Sequence, residues 1–124
     1  MSFLIQKAIP SDVPSLVALE HLVFKQSDWP LNKRSFGYHV RGGKNLMLTA
    51  QETTPTGSIL GYVLVLQHRR SARIYSLATC PEHPGLGTGK ALAQEAIHRV
   101  LERGILNLSL ELRESNTPAL QLYR

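Results

Sequence analysis

The sequence predicts an α/β fold in which helices flank a central mixed, mostly antiparallel sheet. The first observation behind this prediction is that runs with the two-residue alternation of strands are interleaved with runs of helical period. The second is a strand-like run at 74–80 and a helical run at 90–103, joined by a glycine-rich loop. The third is that no repeat, low-complexity segment or linker divides the 124 residues. We therefore expect one domain, residues 1–124.

The first third of the chain predicts a strand followed by two helices. Residues 3–9 alternate in the manner of a strand. Ser11 is placed to act as the N-cap of the next helix, in which Pro14 comes early enough to be tolerated. Residues 26–31 read as a loop, and residues 32–41 as a second short helix that ends at a pair of glycines. The apolar residues that we expect to face the core from the first helix are Val13, Leu16, Leu19, Val23 and Phe24.

The middle of the chain predicts three consecutive strands. Residues 45–51 and 58–67 are strand-like, with a turn between them that is rich in threonine, proline and glycine. Gly61 falls inside the longest apolar strand, where a glycine marks a bulge or a close approach of two backbones. Residues 68–72 close a hairpin onto the strand at 74–80.

The last third predicts a helix, a half-buried strand and a final helix. Gly104 is positioned as the C′ residue that ends the helix at 90–103. Four leucines alternate with polar residues along 106–113, which indicates a strand with one buried face. Residues 115–116 then cap a helical segment at 117–124.

Composition and charge restrict the classes of function. Hydrophobic residues make up 43% of the chain, but no apolar run approaches the ~18 residues that a membrane span requires. There is no secretory signal pattern, and the single cysteine, Cys80, leaves no internal disulfide, so we expect a cytoplasmic protein. The net charge of +5 is compatible with an anionic cofactor or with nucleic acid. Because basic residues cluster only around Arg69, Arg70 and Arg73, nucleic acid is the disfavoured partner.

The glycine-rich loop is typical of a phosphate-binding site. Its sequence, PGLGTG at 84–89, lies between a strand and a helix, so that backbone N–H groups and the helix N-terminus can meet an anion. It is not a P-loop, because Lys90 is followed by Ala91 rather than by serine or threonine. It also lacks the third glycine and the acidic ribose-binding residue of a dinucleotide fingerprint.

The stretch LATCPEHPGLGTGKAL, residues 77–92, resembles the acetyl-CoA signature Q/R-x-x-G-x-G/A of the GNAT superfamily of N-acetyltransferases. Gly87 and Gly89 match its glycines, and Pro84 stands at the Gln/Arg position. A second stretch, LNLSLELRESNTPALQLYR at 106–124, resembles the N-x-x-A-x-x-x-Y segment of the same superfamily. The pair of motifs is most similar to those of the ribosomal-protein alanine acetyltransferases, which acetylate a protein N-terminal amine.

The resemblance implies acetyl-CoA as cosubstrate and no metal. It also implies that the acceptor is a primary amine, which for these relatives is a protein N-terminal α-amine, and that this amine attacks the thioester directly. The residues that it places at the cofactor are Leu77, Ala78, Thr79, Gly85, Leu86, Gly87, Thr88, Gly89, Lys90 and Asn116. It makes Glu111 the general base and Tyr123 the proton donor, and it gives the loops around Trp29 to the acceptor. On the residues alone, Glu111 also fits a solvated carboxylate, Tyr123 a packing residue, and the glycines a tight turn.

Three departures from the family pattern have consequences for these expectations. Pro84 has no backbone N–H to donate. Leu86 stands where a basic residue is common, and Lys90 is near enough to replace the positive charge that is missing there. The family continues with two more strands beyond the position of Arg124, so we expect a domain incomplete at its C-terminus. An open sheet edge would then favour a homodimer. The alternative functions are a truncated, non-catalytic acetyl-CoA-binding domain and an acetyltransferase of a small-molecule amine.

Overall fold

A computed structural model of the chain describes residues 3–24, 31–41, 44–53, 57–81 and 87–110. Within these residues, five strands form one sheet that carries helices on both faces. In chain order the elements are β1 (Phe3–Lys7), a 3-10 turn (Pro10–Asp12), α1 (Val13–Val23), α2 (Lys33–Val40), β2 (Leu46–Glu52), β3 (Ile59–Gln67), β4 (Ser71–Thr79), α3 (Thr88–Glu102) and β5 (Asn107–Leu110). This order confirms the predicted one as far as β5. The predicted helix at 117–124 lies outside the described residues.

The sheet is mixed and mostly antiparallel, as predicted. Its strands lie in the order β1-β2-β3-β4-β5, and the first three pairs are antiparallel. The β4–β5 pair is parallel and runs from Ser71 opposite Asn107 to Ile74 opposite Leu110. A parallel pair needs a crossover connection, and α3 supplies it. The expected homodimer edge is the strand at 106–113, of which residues 111–113 lie outside the described residues, and the dimer stays a prediction.

The sheet separates two hydrophobic cores. On one face α3 covers β2, β3 and β4, and its buried residues include Leu92, Ala96 and Val100. On the other face α1 and α2 cover the same strands, and the rings of Phe36 and Tyr62 meet edge to face with centroids 5.4 Å apart. Both faces of β3 are therefore buried, which explains why its sequence is an almost continuous apolar run. None of the described helices has the length and apolar content needed to cross a bilayer.

The start of α1 differs from the prediction. Ser11 is not the N-cap, because residues 10–12 form a 3-10 turn and α1 begins one residue later, at Val13. The carboxylate of Asp12 accepts a hydrogen bond from the Ile9 N–H at 2.9 Å, and this contact closes the turn. Asp12 therefore occupies the N-cap position of α1. Pro14 lies in the first turn of α1, as predicted.

The end of α3 confirms the role predicted for Gly104. Its φ of 79° is left-handed, and its N–H donates to the Leu101 carbonyl at 2.9 Å. The next N–H, of Ile105, donates to the Val100 carbonyl at 3.3 Å, which completes a Schellman motif. Val100 and Ile105 are both buried in the same core, so the motif also directs the chain from α3 into β5.

Candidate functional site

A β-bulge interrupts the register of β4 with β3 about halfway along the strand. Val65 of β3 lies opposite Ile74, but its neighbour Leu64 lies opposite Ser76, so Tyr75 is an extra residue on β4. Before the bulge Ile74 packs on the α3 side of the sheet, whereas Tyr75 packs on the α1–α2 side. The bulge therefore changes which residues of the strand face α3.

After the bulge, Leu77 faces the α3 side again and Ala78 faces the α1–α2 side. We did not predict this change of phase, although the sequence carries a signal for it. The inward residues Ala72 and Ile74 are two positions apart, and the next one, Leu77, follows after three. A break in a two-residue period inside one strand indicates a bulge.

Gly61 allows β3 to approach β4 and α3 very closely. A Cβ atom at Gly61 would lie 2.7 Å from the Ala78 carbonyl oxygen, 3.1 Å from Leu92 Cδ1 and 3.3 Å from Thr88 Cγ2. The register of β2 and β3 also shifts here, since Ala50 lies opposite Gly61 and the next residue, Gln51, lies opposite Ile59. Both features predicted for Gly61, a bulge and a close approach, are confirmed.

The N-terminus of α3 leaves its first backbone N–H groups without an acceptor inside the helix. The helix begins at Thr88, two residues earlier than predicted, and its N-cap Gly87 has a left-handed φ of 74°. The first helical hydrogen bond runs from the Ala91 N–H to the Gly87 carbonyl at 3.0 Å. The N–H groups of Thr88, Gly89 and Lys90 therefore have no helical acceptor. No described side chain caps this end, so among the described residues these N–H groups are available to an anion.

The first turn of α3 packs against the end of β4. A Cβ atom at Gly89 would lie 3.4 Å from Thr79 Cγ2 and 4.0 Å from Leu77 Cδ2. Together with the contacts around Gly61, this packing joins two groups of predicted cofactor residues. The structure thus brings together Leu77, Ala78 and Thr79 of β4 with Gly87, Thr88, Gly89 and Lys90 of α3.

Thr88 adds a polar atom that has no hydrogen-bond partner among the described residues. The residue is only 5% exposed, and its hydroxyl oxygen makes no hydrogen bond within the described part of the chain. Burying a hydroxyl without a hydrogen-bond partner costs free energy. A hydroxyl at the N-terminus of a helix therefore suits a ligand that accepts a hydrogen bond from it. The donors at this site are therefore those that a phosphate requires.

Five of the predicted site residues lie outside the described residues. These are Gly85, Leu86, Glu111, Asn116 and Tyr123. Glu111 directly follows Leu110, the last residue of β5, which pairs with β4 at Ile74. The roles that we predict for all twelve site residues stay predictions.

A second concave surface lies at the other end of α3 and has a different character. It encloses about 500 Å³ and is lined by Arg69, Arg70 and Arg103 among others. The side chain of Arg103 donates to the Lys44 carbonyl at 2.8 Å and to Gln67 Oε1 at 2.6 Å. Cations near a helix C-terminus also complement its dipole. We therefore assign Arg103 to the stability of this end of the fold.

The match to a family model identifies the class of protein. Residues 15–124 match the model of the Acetyltransferase (GNAT) family, and the chain belongs to this family. It is an acetyl-CoA-dependent N-acetyltransferase. This confirms the predicted superfamily and fold.

Among its curated relatives is the ribosomal protein bS18-alanine N-acetyltransferase of Escherichia coli strain K12. It is 25% identical over 112 residues, which is 90% of this chain and 73% of that protein. The solved structure of a ribosomal-protein-S18-alanine N-acetyltransferase from Escherichia coli superposes with a TM-score of 0.78 at 24% identity, over 98% of this chain and 74% of that one.

A further solved structure superposes as well and was determined with a ligand. It is the PaiA N-acetyltransferase of Thermoplasma acidophilum in complex with coenzyme A. Its TM-score is 0.80 at 18% identity, and the match covers 99% of this chain and 87% of that one. At this identity the likeness establishes the shared fold.

Proposed function

We propose that the chain transfers the acetyl group of acetyl-CoA to the α-amine of a protein N-terminus, with alanine as the terminal residue. The observation that carries the acceptor is the relative named a bS18-alanine N-acetyltransferase, which aligns with 90% of this chain. The cofactor site is supported by the geometry at β4 and α3. A ribosomal-protein-like N-terminus is the substrate that follows.

The first turn of α3 is the proposed site of the pyrophosphate. The N–H groups of Thr88, Gly89 and Lys90 have no helical acceptor, and the Thr88 hydroxyl can donate a further hydrogen bond. Gly87 keeps this turn free of side-chain atoms, since nothing lies within 4 Å of the Cβ position there. We assign Gly85, Leu86 and Asn116 to the same site from the family motifs.

The end of β4 is the proposed site of the pantetheine arm and of the thioester. Backbone groups of Leu77, Ala78 and Thr79 would pair with the arm in the manner of an added strand. An N–H of this strand would stabilise the oxyanion that forms when the amine nitrogen attacks the thioester carbonyl carbon. The bulge at Tyr75 supports this role, because bulges often occur beside active sites, where they alter the direction of a strand.

Proton transfer is assigned to Glu111 and Tyr123. A peptide α-amine has a pKa of about 7.7–8.0, so it needs only modest help to lose its proton, and Glu111 would accept that proton through a water. The carbon–sulfur bond then breaks, and Tyr123 would donate a proton to the CoA thiolate. The products are an N-acetylated peptide and CoA.

Release of CoA from acetyl-CoA tests the proposal, with a peptide that begins with alanine and a small primary amine as parallel acceptors. Multiple turnovers on the peptide are expected. Turnover on the small amine alone would contradict a protein N-terminus as the acceptor and would favour acetylation of a small-molecule amine. Binding of acetyl-CoA with no turnover on either would favour a non-catalytic acetyl-CoA-binding domain.

The proposed acid and base are tested by Glu111→Gln and Tyr123→Phe. Each should lower kcat by about 10²–10⁴ and leave the affinity for acetyl-CoA nearly intact. Glu102→Gln and Tyr38→Phe are matched controls, because both residues are exposed, Glu102 at the C-terminal end of α3 and Tyr38 on α2. Full activity of either site variant on a confirmed acceptor would contradict the role that we assign to it.

A further inference from the structure

Three polar side chains meet in the core between α1 and the sheet. Glu20 of α1, Tyr62 of β3 and Ser76 of β4 are all fully buried. The Tyr62 hydroxyl donates to Glu20 Oε1 at 2.5 Å, and the Tyr62 oxygen lies 2.7 Å from Ser76 Oγ. Because the Tyr62 hydroxyl has one proton and donates it to Glu20, the Ser76 hydroxyl is the donor to Tyr62. The three side chains thus form a hydrogen-bonded bridge from α1 through β3 to β4.

The bridge reaches β4 at its bulge. Ser76 directly follows the extra residue Tyr75 and lies opposite Leu64 of β3, whereas Tyr62 lies opposite Ala78. The hydrogen bond between Ser76 and Tyr62 therefore runs diagonally across the two strands. It spans the first residues of β4 after the bulge. These are the residues that we assign to the pantetheine arm and to the thioester.

Packing and strand pairing hold β4 only in part after the bulge. On the side of the sheet covered by α1 and α2, Ala78 contributes a single methyl group. A bulge also leaves one residue of the strand without a partner in the ladder and increases the local twist. Buried hydrogen bonds contribute little net stability, but a satisfied network of them fixes one arrangement. The bridge therefore supplies at Ser76 a constraint that the interrupted ladder does not.

We propose that Ser76 and Tyr62, supported by Glu20, are positioning residues for the thioester. The bridge fixes the backbone of residues 77–79 in the direction at which an N–H of this segment meets the oxyanion. The three side chains act through the backbone of β4. The place of the thioester rests on the proposed function, whereas the bridge itself rests on hydrogen bonds between described residues.

Two substitutions break the bridge and a third preserves it. Ser76→Ala removes the donor to Tyr62 and leaves the hydrogen bond between Tyr62 and Glu20 in place. Tyr62→Phe removes both hydrogen bonds of the bridge. In Glu20→Gln the amide nitrogen can donate to the Tyr62 oxygen, and the Tyr62 hydroxyl then donates to Ser76 Oγ, so the bridge persists with its direction reversed. The amide oxygen can also keep the hydrogen bond that Glu20 Oε2 accepts from the Leu31 N–H at 2.7 Å.

The first readout is hydrogen exchange and does not depend on activity. It follows, by NMR on the free protein, those backbone N–H groups of residues 77–79 that bond to β3. Ser76→Ala and Tyr62→Phe should speed their exchange about tenfold, because the strand opens locally more often. Glu20→Gln should keep the wild-type rates.

The second readout separates the thioester from the pyrophosphate. With the alanine peptide as acceptor, well below the melting temperature of each variant, Ser76→Ala should lower kcat about tenfold. It should also weaken the binding of CoA about fivefold, because the pantetheine arm pairs with the same backbone. The affinity for 3′-phospho-ADP, the part of CoA that carries the pyrophosphate and lacks the arm, should stay within about twofold. Glu20→Gln should keep the wild-type values of all three quantities.

Thr49→Val is the matched control. Thr49 of β2 is fully buried, lies opposite Tyr62, and bonds to the Gln6 carbonyl and to the Gln51 side chain. Like Ser76→Ala, this variant removes one buried hydroxyl from the same side of the sheet, but it leaves the bridge intact. It should therefore lower the stability without changing kcat, the affinity for CoA or the exchange at residues 77–79.

The outcomes separate this proposal from the proposed function. If Ser76→Ala keeps the wild-type kcat or the wild-type exchange rates, or if Thr49→Val reproduces its effects, the proposal is wrong. If the wild-type protein does not turn over the peptide at all, the proposed function fails. The two affinities then decide the positioning of β4: loss of CoA binding with 3′-phospho-ADP binding retained supports it, and equal changes for both ligands contradict it.

Discussion

Single residues determine how closely the elements around the site approach one another. Gly61 is the clearest case, because the Ala78 carbonyl, Leu92 and Thr88 all lie near the position of its missing Cβ atom. The sequence predicted this role from one observation, a glycine inside an apolar strand. It did not predict the buried hydrogen bonds of Glu20, because Tyr62 lies 42 residues away. The local signal was there, since Glu20 lies four residues after Leu16 on the buried face of α1.

Gly61→Ala should destabilise the fold by about 1–3 kcal/mol. The new methyl group would lie 2.7 Å from a backbone oxygen, which cannot move aside as a flexible side chain can. Gly37→Ala is the matched control in the interior of α2, where the methyl group would lie 3.6 Å from an Arg41 nitrogen. This control should stabilise the protein by roughly 0.5–1 kcal/mol. Urea unfolding of both variants gives the comparison, and equal effects would contradict the close approach.

His39 should make the stability depend on pH. Burial lowers the pKa of this histidine on α2 below its usual value of 6.5. Its Nδ1 lies 3.3 Å from Asn45 Nδ2, and Asn45 Oδ1 accepts from the Gln67 N–H, so Nδ1 is the acceptor in a neutral ring. Because the unfolded state binds the proton more readily, stability is lost as the pH falls from 6.5 through the lower folded pKa. His39→Gln should flatten the dependence of Tm on pH between about 7 and 5, and an unchanged slope would contradict it.

At the scale of elements, those with local signals were predicted well. The glycine at the end of α3, the hairpin between β3 and β4, and the order of helices and strands along the chain all follow from residues close in sequence. The bulge at Tyr75 was missed although the three-residue step from Ile74 to Leu77 signals it, and its exact place depends on which residue of β3 lies opposite each residue of β4. The turn before α1 was missed because the Asp12 carboxylate bonds back to Ile9 instead of leaving Ser11 to cap the helix.

The two ends of α3 offer a matched test of the anion site. Gly87 and Gly104 both have left-handed φ angles, 74° and 79°, and neither has any atom within 4 Å of its Cβ position. Substitution by alanine should therefore lower the free energy of unfolding by a similar amount at each position, about 1–2 kcal/mol. Only Gly87→Ala should also weaken acetyl-CoA binding, by about tenfold or more, because it alone lies at the open N-terminus. Calorimetric titration of both variants decides this, and equal affinities would place the pyrophosphate elsewhere.

At the scale of the whole molecule, the sheet is the element that both cores share. α3 packs on one face and α1 and α2 on the other, so that each core rests on β2, β3 and β4. A ligand bound at the end of β4 and the start of α3 therefore contacts elements that belong to both cores. We expect the protein to unfold in a single transition and expect this ligand to stabilise the whole of it.

Acetyl-CoA should raise the melting temperature as a consequence. A ligand that binds only the folded state adds about 2.7 kcal/mol at a hundredfold excess over its Kd, which for a chain of this length is roughly 10 °C in Tm. Pantetheine, which lacks the pyrophosphate, should produce a much smaller shift at the same concentration, because it leaves the N–H groups of Thr88, Gly89 and Lys90 without an acceptor. Raising the salt concentration should reduce the shift from acetyl-CoA more than that from pantetheine. If folded protein gives no shift with millimolar acetyl-CoA, then neither catalysis nor simple acetyl-CoA binding describes this chain.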